Sequence, residues 1–297
     1  MKRYLSLMVL LVFGLTIFST VKISVSIVPQ RTFVEAVGKE LVDVTVIIPP
    51  GYSPANYAPT AKQIIDFSDS TVYFTIGVPS ESSNILPKLA KNAPNVQLVS
   101  LHDAVDKVFQ PRYFSENERD PHIWLSAKRV MLMVGIIRDY LCSIDPDHDA
   151  YYRQNTQDFI NKLNITDQLL NETLSSIENK GFFCFHPSFG YFADDYGLKM
   201  YALEENGKEA SPKRIAEMVA FARENNYKVI FYQAEIDSSQ TDSFAHEIGG
   251  KALKLDPLSA DYINNLKSMG QIFLDVLGER DGKHCDCIKR RQCVLRK

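Results

Sequence analysis

The stretch "DPDHDAYYRQNTQDFINKLNITDQLLNETLSSIENKG", residues 145–181, constrains the fold more than any other part of the chain. Asp145 is an expected N-cap with Pro146 at the first helical position, and Gly181 closes the run. Tyr152, Phe159, Leu163, Leu170, Leu174 and Ile177 recur at helical spacing. At the α-helical rise this predicts a helix on the order of 50 Å long. That is too long for a crossover helix within one compact sheet, and suits a spine joining two lobes.

The flanks support the division. Before the helix come four short apolar runs, "VKISVSIV" (21–28), "VDVTVII" (42–48), "TVYFTIG" (71–77) and "VQLVSL" (96–101), alternating with helix-like "RTFVEAVGKEL" and "SSNILPKLAKNA". After it come "GFFCFH" (181–186), "LKMYAL" (198–203), "KVIFYQ" (228–233) and "KALKLD" (251–256). Their helices are "SPKRIAEMVAFARENN", with Ser211 as cap, "SQTDSFAHEIGG" and "SADYINNLKSMGQIFLDVLG". Strands alternating with helices imply βαβ units, and near-continuous apolar strands imply sheets covered on both faces. The predicted fold is α/β: two lobes with mostly parallel central sheets joined by one long rigid backbone helix. The expected boundaries are 1–20 for a signal peptide or anchor, 21–144 for the first lobe, 145–180 for the helix, 181–280 for the second lobe and 281–297 for a basic, cysteine-containing tail.

Lys2 and Arg3 precede "YLSLMVLLVFGLTIF", the pattern of an export signal or a retained anchor, so an extracytoplasmic location is expected. The first cysteine is Cys142, so no cysteine near this segment is available to carry a lipid. A net charge of -3 leaves no basic field for nucleic acid. Of five cysteines, Cys142 and Cys184 sit in apolar surroundings and read as buried free thiols. Cys285, Cys287 and Cys293, with His284, fall in the polar tail at a spacing that matches no zinc template.

G-x-S-x-G, G-x-G-x-x-G, G-x-x-x-x-G-K-[ST] and H-E-x-x-H are all missing, so no catalytic class is indicated. What stands out is a set of polar residues at strand ends and beside prolines. His122, in "RDPHIWLS", is restricted by Pro121 and backed by Trp124, which suits a metal ligand as well as a histidine packed at a helix start and capped by Asp120. His186, in "FCFHPSFGYF", ends an apolar strand and points to a cleft or is a satisfied core histidine. Asp256, in "KLDPLS", is a third candidate ligand, or the N-cap of the next helix. His102, His148 and His246 have less suitable surroundings. Two imidazoles and a carboxylate from two lobes would hold Zn²⁺, or alternatively Mn²⁺, across an interlobe cleft.

The segments "VDVTVIIPPGYSPANYAPT", "DPHIWLS", "HPSFGYFADDYGL" and "EIGGKALKLDPLS", in that order, resemble the ZnuA/TroA-like metal-binding receptors of ABC importers for zinc and manganese. The resemblance covers nearly the whole chain after the signal. It implies two α/β lobes on a rigid helix, capture of a divalent metal, zinc first, in the interlobe cleft, and delivery to an ABC permease in the membrane. It implies ligand roles for His122, His186 and Asp256, ion transport rather than catalysis, and a periplasmic or cell-surface protein expected to be a monomer. Two departures stand out. The stretch "FQPRYFSENERDPH" has no histidine before His122, so no metal-scavenging loop is expected there. In the family the loop after the second strand reads G-x-[SD]-P-H-x-Y and its histidine is a ligand, whereas here "GYSPANY" has Ala55 at that position. An alternative reading is therefore a receptor for an organic or metal-chelate ligand, lined by Tyr52, Tyr57, Trp124, Phe189, Tyr191 and Phe192. A metal-dependent hydrolase lacks a convincing general base.

Overall fold

The structure is a computed structural model that describes residues 20–278, apart from 205–207, 234 and 236–238. The expected export segment and the cysteine tail lie outside the described residues. The first lobe runs β1 (Val21–Val25), α1 (Val28–Gly38), β2 (Val42–Val46), α2 (Ala61–Ser68), β3 (Val72–Thr75), α3 (Leu86–Asn92), β4 (Gln97–Ser100) and α4 (Leu101–Asp106). A small antiparallel ribbon, β5 (Tyr113–Ser115) and β6 (Glu118–Arg119), follows. Two helices, α5 (Ala127–Ile144) and α6 (Asp149–Ser175), then lead to the second lobe. That lobe runs β7 (Gly181–Cys184), α7 (Gly190–Asp195), β8 (Lys199–Ala202), α8 (Pro212–Glu224), β9 (Val229–Gln233), α9 (Ser239–Glu247), β10 (Lys251–Leu255) and α10 (Tyr262–Leu277).

Each lobe has a four-stranded parallel sheet, ordered β2-β1-β3-β4 and β10-β9-β7-β8. Counted from the first strand of each lobe the two orders are the same, 2-1-3-4. Each sheet therefore has a switch point between its first and third strands, where crossovers leave in opposite directions and open a crevice at the carboxyl ends. The central strands bury both faces: Ile23, Val25, Phe74, Phe182 and Phe231 are fully buried. This matches the near-continuous apolar runs in the sequence.

The long helix is shorter than its pattern suggests. It begins at Asp149 and spans about 40 Å over its 27 residues. Pro146–His148 forms a separate 3-10 turn, and the Asp145 carboxylate caps no backbone amide; it accepts from His148 Nδ1 at 2.8 Å and Tyr152 OH at 2.6 Å. Gly181 belongs to β7 rather than to a helix end, and a Cβ there would sit 2.1 Å from the Tyr227 ring. All the predicted apolar positions of the helix are buried, against α5, α1 and α10. Helix α8 starts as expected, with Ser211 Oγ accepting from Arg214 N.

One apolar core runs through both lobes, with a smaller cluster behind the second sheet. Helix α10 joins them: Tyr262 packs edge-on against Phe33 of the first lobe, and Phe273 packs against Phe182 and Phe231 of the second. Cys142 and Cys184 are buried free thiols, and burial raises the pKa of both, strongly so for Cys184. Among the described residues no helix is long and apolar enough to cross a membrane.

Candidate metal centre

His122 is built into a rigid turn. Asp120 is fully buried, and its Oδ1 accepts from the backbone N–H of His122 at 2.9 Å and from His122 Nδ1 at 2.8 Å. The chain then makes a 3-10 turn, Ile123–Leu125, and enters α5 through Ser126, whose Oγ accepts from Arg129 N. The ring is packed by Trp124 at 5.1 Å and Phe114 at 6.2 Å. Burial is the first cause holding the imidazole below its ordinary pKa, and it outweighs Asp120, which pulls the other way. The neutral form, the one that ligates metals, is favoured.

His186 lies just past the end of β7, and its Nδ1 faces Glu204 Oε2 at 2.8 Å. Glu204 lies just past β8, the neighbouring strand, and is held by its own N–H donating to Phe185 O. In both histidines Nδ1–H is committed to a carboxylate, which leaves Nε2 as the free acceptor. The two rings lie 5.2 Å apart between centroids. With Zn–N bonds of about 2.0–2.1 Å, two imidazoles on one tetrahedral ion have ring centres about 5 Å apart. The pair therefore fits a single ion.

A cavity of about 820 Å³ contains both rings and is walled by both lobes. The first lobe contributes Ser53, Pro54, Ala55 and Asn56 of the proline-rich loop, together with Pro79 and Trp124; the second contributes Gln233 and Glu235. The loop is a pinned wall. Pro54 O accepts from Ser80 N, Tyr57 O from Asn84 Nδ2, and Pro59 O from Lys88 Nζ. Ala55 does line the cavity, with no donor atom to offer.

Asp256 does not join the histidines. It is exposed, its Oδ1 accepts from Leu258 N at 3.0 Å, and it does not line the cavity that holds the two rings. The reason is topological: β10 is the outer strand, with β9 between it and β7. It does not cap α10 either, which starts at Tyr262 after Asp261. Among the described residues no three His, Cys, Asp or Glu side chains converge as a closed metal shell. Of the six aromatics expected around an organic ligand, only Trp124 lines the cavity; Phe189, Tyr191 and Phe192 are in the core, and Tyr52 packs edge-on against Tyr57, neither of them lining it.

Three carboxylates near the rings had weak local signals. Asp120 was visible beside His122 as a possible cap. Glu204 and Glu235 stand just past apolar strands, but only the register shows that those strands flank β7. Burial pushes the Glu235 carboxyl up and the Asp256 carboxylate adds to this, while a hydrogen bond from its own backbone N–H and the charge of Lys254 oppose it.

Behind His122, an ionic and aromatic network crosses between lobes. Arg112 pairs with Asp194 and faces Asp120 Oδ2 at 3.4 Å. Tyr191 OH accepts from Arg112 N and donates to Asp120 O, and the Arg129 guanidinium lies 4.4 Å over its ring. Gly190 permits this approach, because a Cβ there would be 2.5 Å from Arg112 Nε and 2.8 Å from Asp120 Oδ2. Gly190→Ala is therefore expected to displace Arg112 and loosen Asp120, at a cost of about 1–3 kcal/mol. A fall of several degrees in melting temperature, by circular dichroism, is the expected reading; an unchanged melt would mean that Arg112 moves aside freely.

The sequence profile of the family described as "Zinc-uptake complex component A periplasmic" (ZnuA) matches residues 23–275. The chain belongs to this family. Among its relatives, the high-affinity zinc uptake system protein ZnuA of Bacillus subtilis (strain 168) is 29% identical over 242 residues, covering 77% of this chain and 76% of that protein. The zinc-binding lipoprotein AdcA of Streptococcus pneumoniae serotype 4 is 27% identical over 266 residues, covering 84% of this chain. The chain spans about half of AdcA, 52% of its length. A crystal structure of a ZnuA superposes with a TM-score of 0.82 at 32% identity, covering 87% of this chain and 99% of that one. The two-lobed α/β architecture and long helix are thus those of the ZnuA family.

Proposed function

We propose that this ZnuA-family chain is an extracytoplasmic solute-binding receptor that takes a divalent metal ion, zinc first and manganese second, into the interlobe cavity and delivers it to an ABC permease. His122 and His186 are the proposed ligands. The observation that carries this reading is the pair of imidazoles, 5.2 Å apart, each with Nδ1 tied to a carboxylate and Nε2 free. Zinc is the cargo named for the relatives in Bacillus subtilis and Streptococcus pneumoniae. The protein is read as a carrier rather than a catalyst, exported by its N-terminal apolar segment and acting as a monomer. A site with few protein ligands suits a carrier that must release its ion.

Equilibrium dialysis of chelator-stripped protein against Zn²⁺ and Mn²⁺ tests the reading. Zinc binding at micromolar or tighter affinity is expected, and binding of neither ion overturns it. The loop supplies a gain-of-function prediction. Ala55→His places a third imidazole on the cavity wall and is expected to tighten zinc binding by about tenfold or more. Unchanged affinity in the same dialysis would mean that the loop wall does not face the ion.

A further inference from the structure

We propose that Glu235, not Asp256, supplies the carboxylate ligand of the zinc site. This rests on reading the cavity as a zinc site. The switch point of the second sheet lies between β7 and β9, and the two strands pair with Cys184 opposite Phe231. Two residues beyond Cys184 is His186, and two beyond Phe231 is Gln233, so the chain leaves both strands side by side, roughly 4.8 Å apart. Glu235 lies two residues beyond Gln233 in the chain, and both line the cavity. Asp256 follows Leu255, which pairs with Gln233 on the far side of β9.

The other carboxylates on the cavity wall are already accounted for. Glu204 accepts from His186 Nδ1, and Glu118 and Glu209 are exposed. Glu235 differs from them: its Oε2 is buried and has no hydrogen-bond partner among the described residues. An acceptor removed from water without a donor is costly, and a cation in the cavity would offset that cost. Two imidazole nitrogens and one carboxylate oxygen make a recurrent zinc set with one position left for water. Because no three such side chains converge among the described residues, the Glu235 carboxylate turns onto the ion as it binds. Its charge offsets half of that of Zn²⁺, which the two neutral rings leave uncompensated.

The test measures Zn²⁺ affinity by competition with a chromogenic chelator in the full chain, for wild type, Glu235→Gln, Asp256→Asn and His122→Ala. Absorption spectra of the Co²⁺-loaded proteins report the ligand set independently of affinity. Glu235→Gln is expected to lose about a hundredfold in affinity and to shift the Co²⁺ spectrum, with its metal-free melting temperature kept. Asp256→Asn is expected to stay within about threefold of wild type. If His122→Ala loses zinc while Glu235→Gln stays within that margin and keeps the wild-type spectrum, this inference is overturned and the zinc site stands. If Asp256→Asn is the variant that loses zinc, the inference is likewise overturned. If wild type binds no zinc, both fall.

Discussion

His186→Ala and His122→Ala are each expected to weaken zinc binding by about a thousandfold, roughly 4 kcal/mol, in a chelator competition assay. The size follows from how few ligands the cavity offers. Ala55 contributes none and Asp256 stands outside, so each imidazole is a large part of the shell. Removing either ring also strands its carboxylate, Asp120 or Glu204, which is held for Nδ1–H. Retention of zinc within tenfold in both variants would remove the rings from the site. The same chemistry predicts the pH dependence. Only a neutral imidazole ligates, so bound zinc is released as pH falls. Burial holds His122 below its ordinary value near pH 6.5, so its protonation competes only below that value. A zinc-release curve with a midpoint above pH 7 would contradict this.

Trp124→Ala is expected to destabilise the chain by about 3–5 kcal/mol in urea unfolding followed by circular dichroism. Trp124 is 1% exposed, and its Nε1–H donates to Pro257 O of the second lobe at 2.8 Å. Its own carbonyl accepts from Tyr262 OH, and its ring backs His122 at 5.1 Å. The residue therefore ties the lobes together at the floor of the cavity as well as filling core volume. Trp124→Phe keeps much of the apolar contact but leaves Pro257 O unpaired, so a smaller loss of about 1–3 kcal/mol is expected. A loss under about 1 kcal/mol for the alanine variant would mean that the interlobe contact adds little.

The ordering of strands and helices was readable because each element carries its own period. Apolar runs such as "VKISV" and "GFFC" need no partner to be recognised as strands covered on both faces. The buried face of α6 follows from helical spacing alone. Its N-terminal boundary was less visible, because Asp145 reads as a backbone cap, whereas its carboxylate is taken up by the side chains of His148 and Tyr152, three and seven residues further on. His122 stood out for a local reason as well, being enclosed by Asp120, Pro121 and Trp124 within five residues of chain.

Residue order alone thus carries the α/β class, the two lobes around a long helix, and the two candidate histidines, while the missing donor at Ala55 shows only against the family's loop pattern. Which carboxylate serves which histidine is a matter of strand order, and no local pattern encodes it. Glu204 reaches His186 because β8 pairs with β7, whereas Asp256 is held off because β9 intervenes. Such neighbours are set by long-range pairing among residues tens of positions apart. The tertiary structure therefore decides how the shell around the two rings is composed.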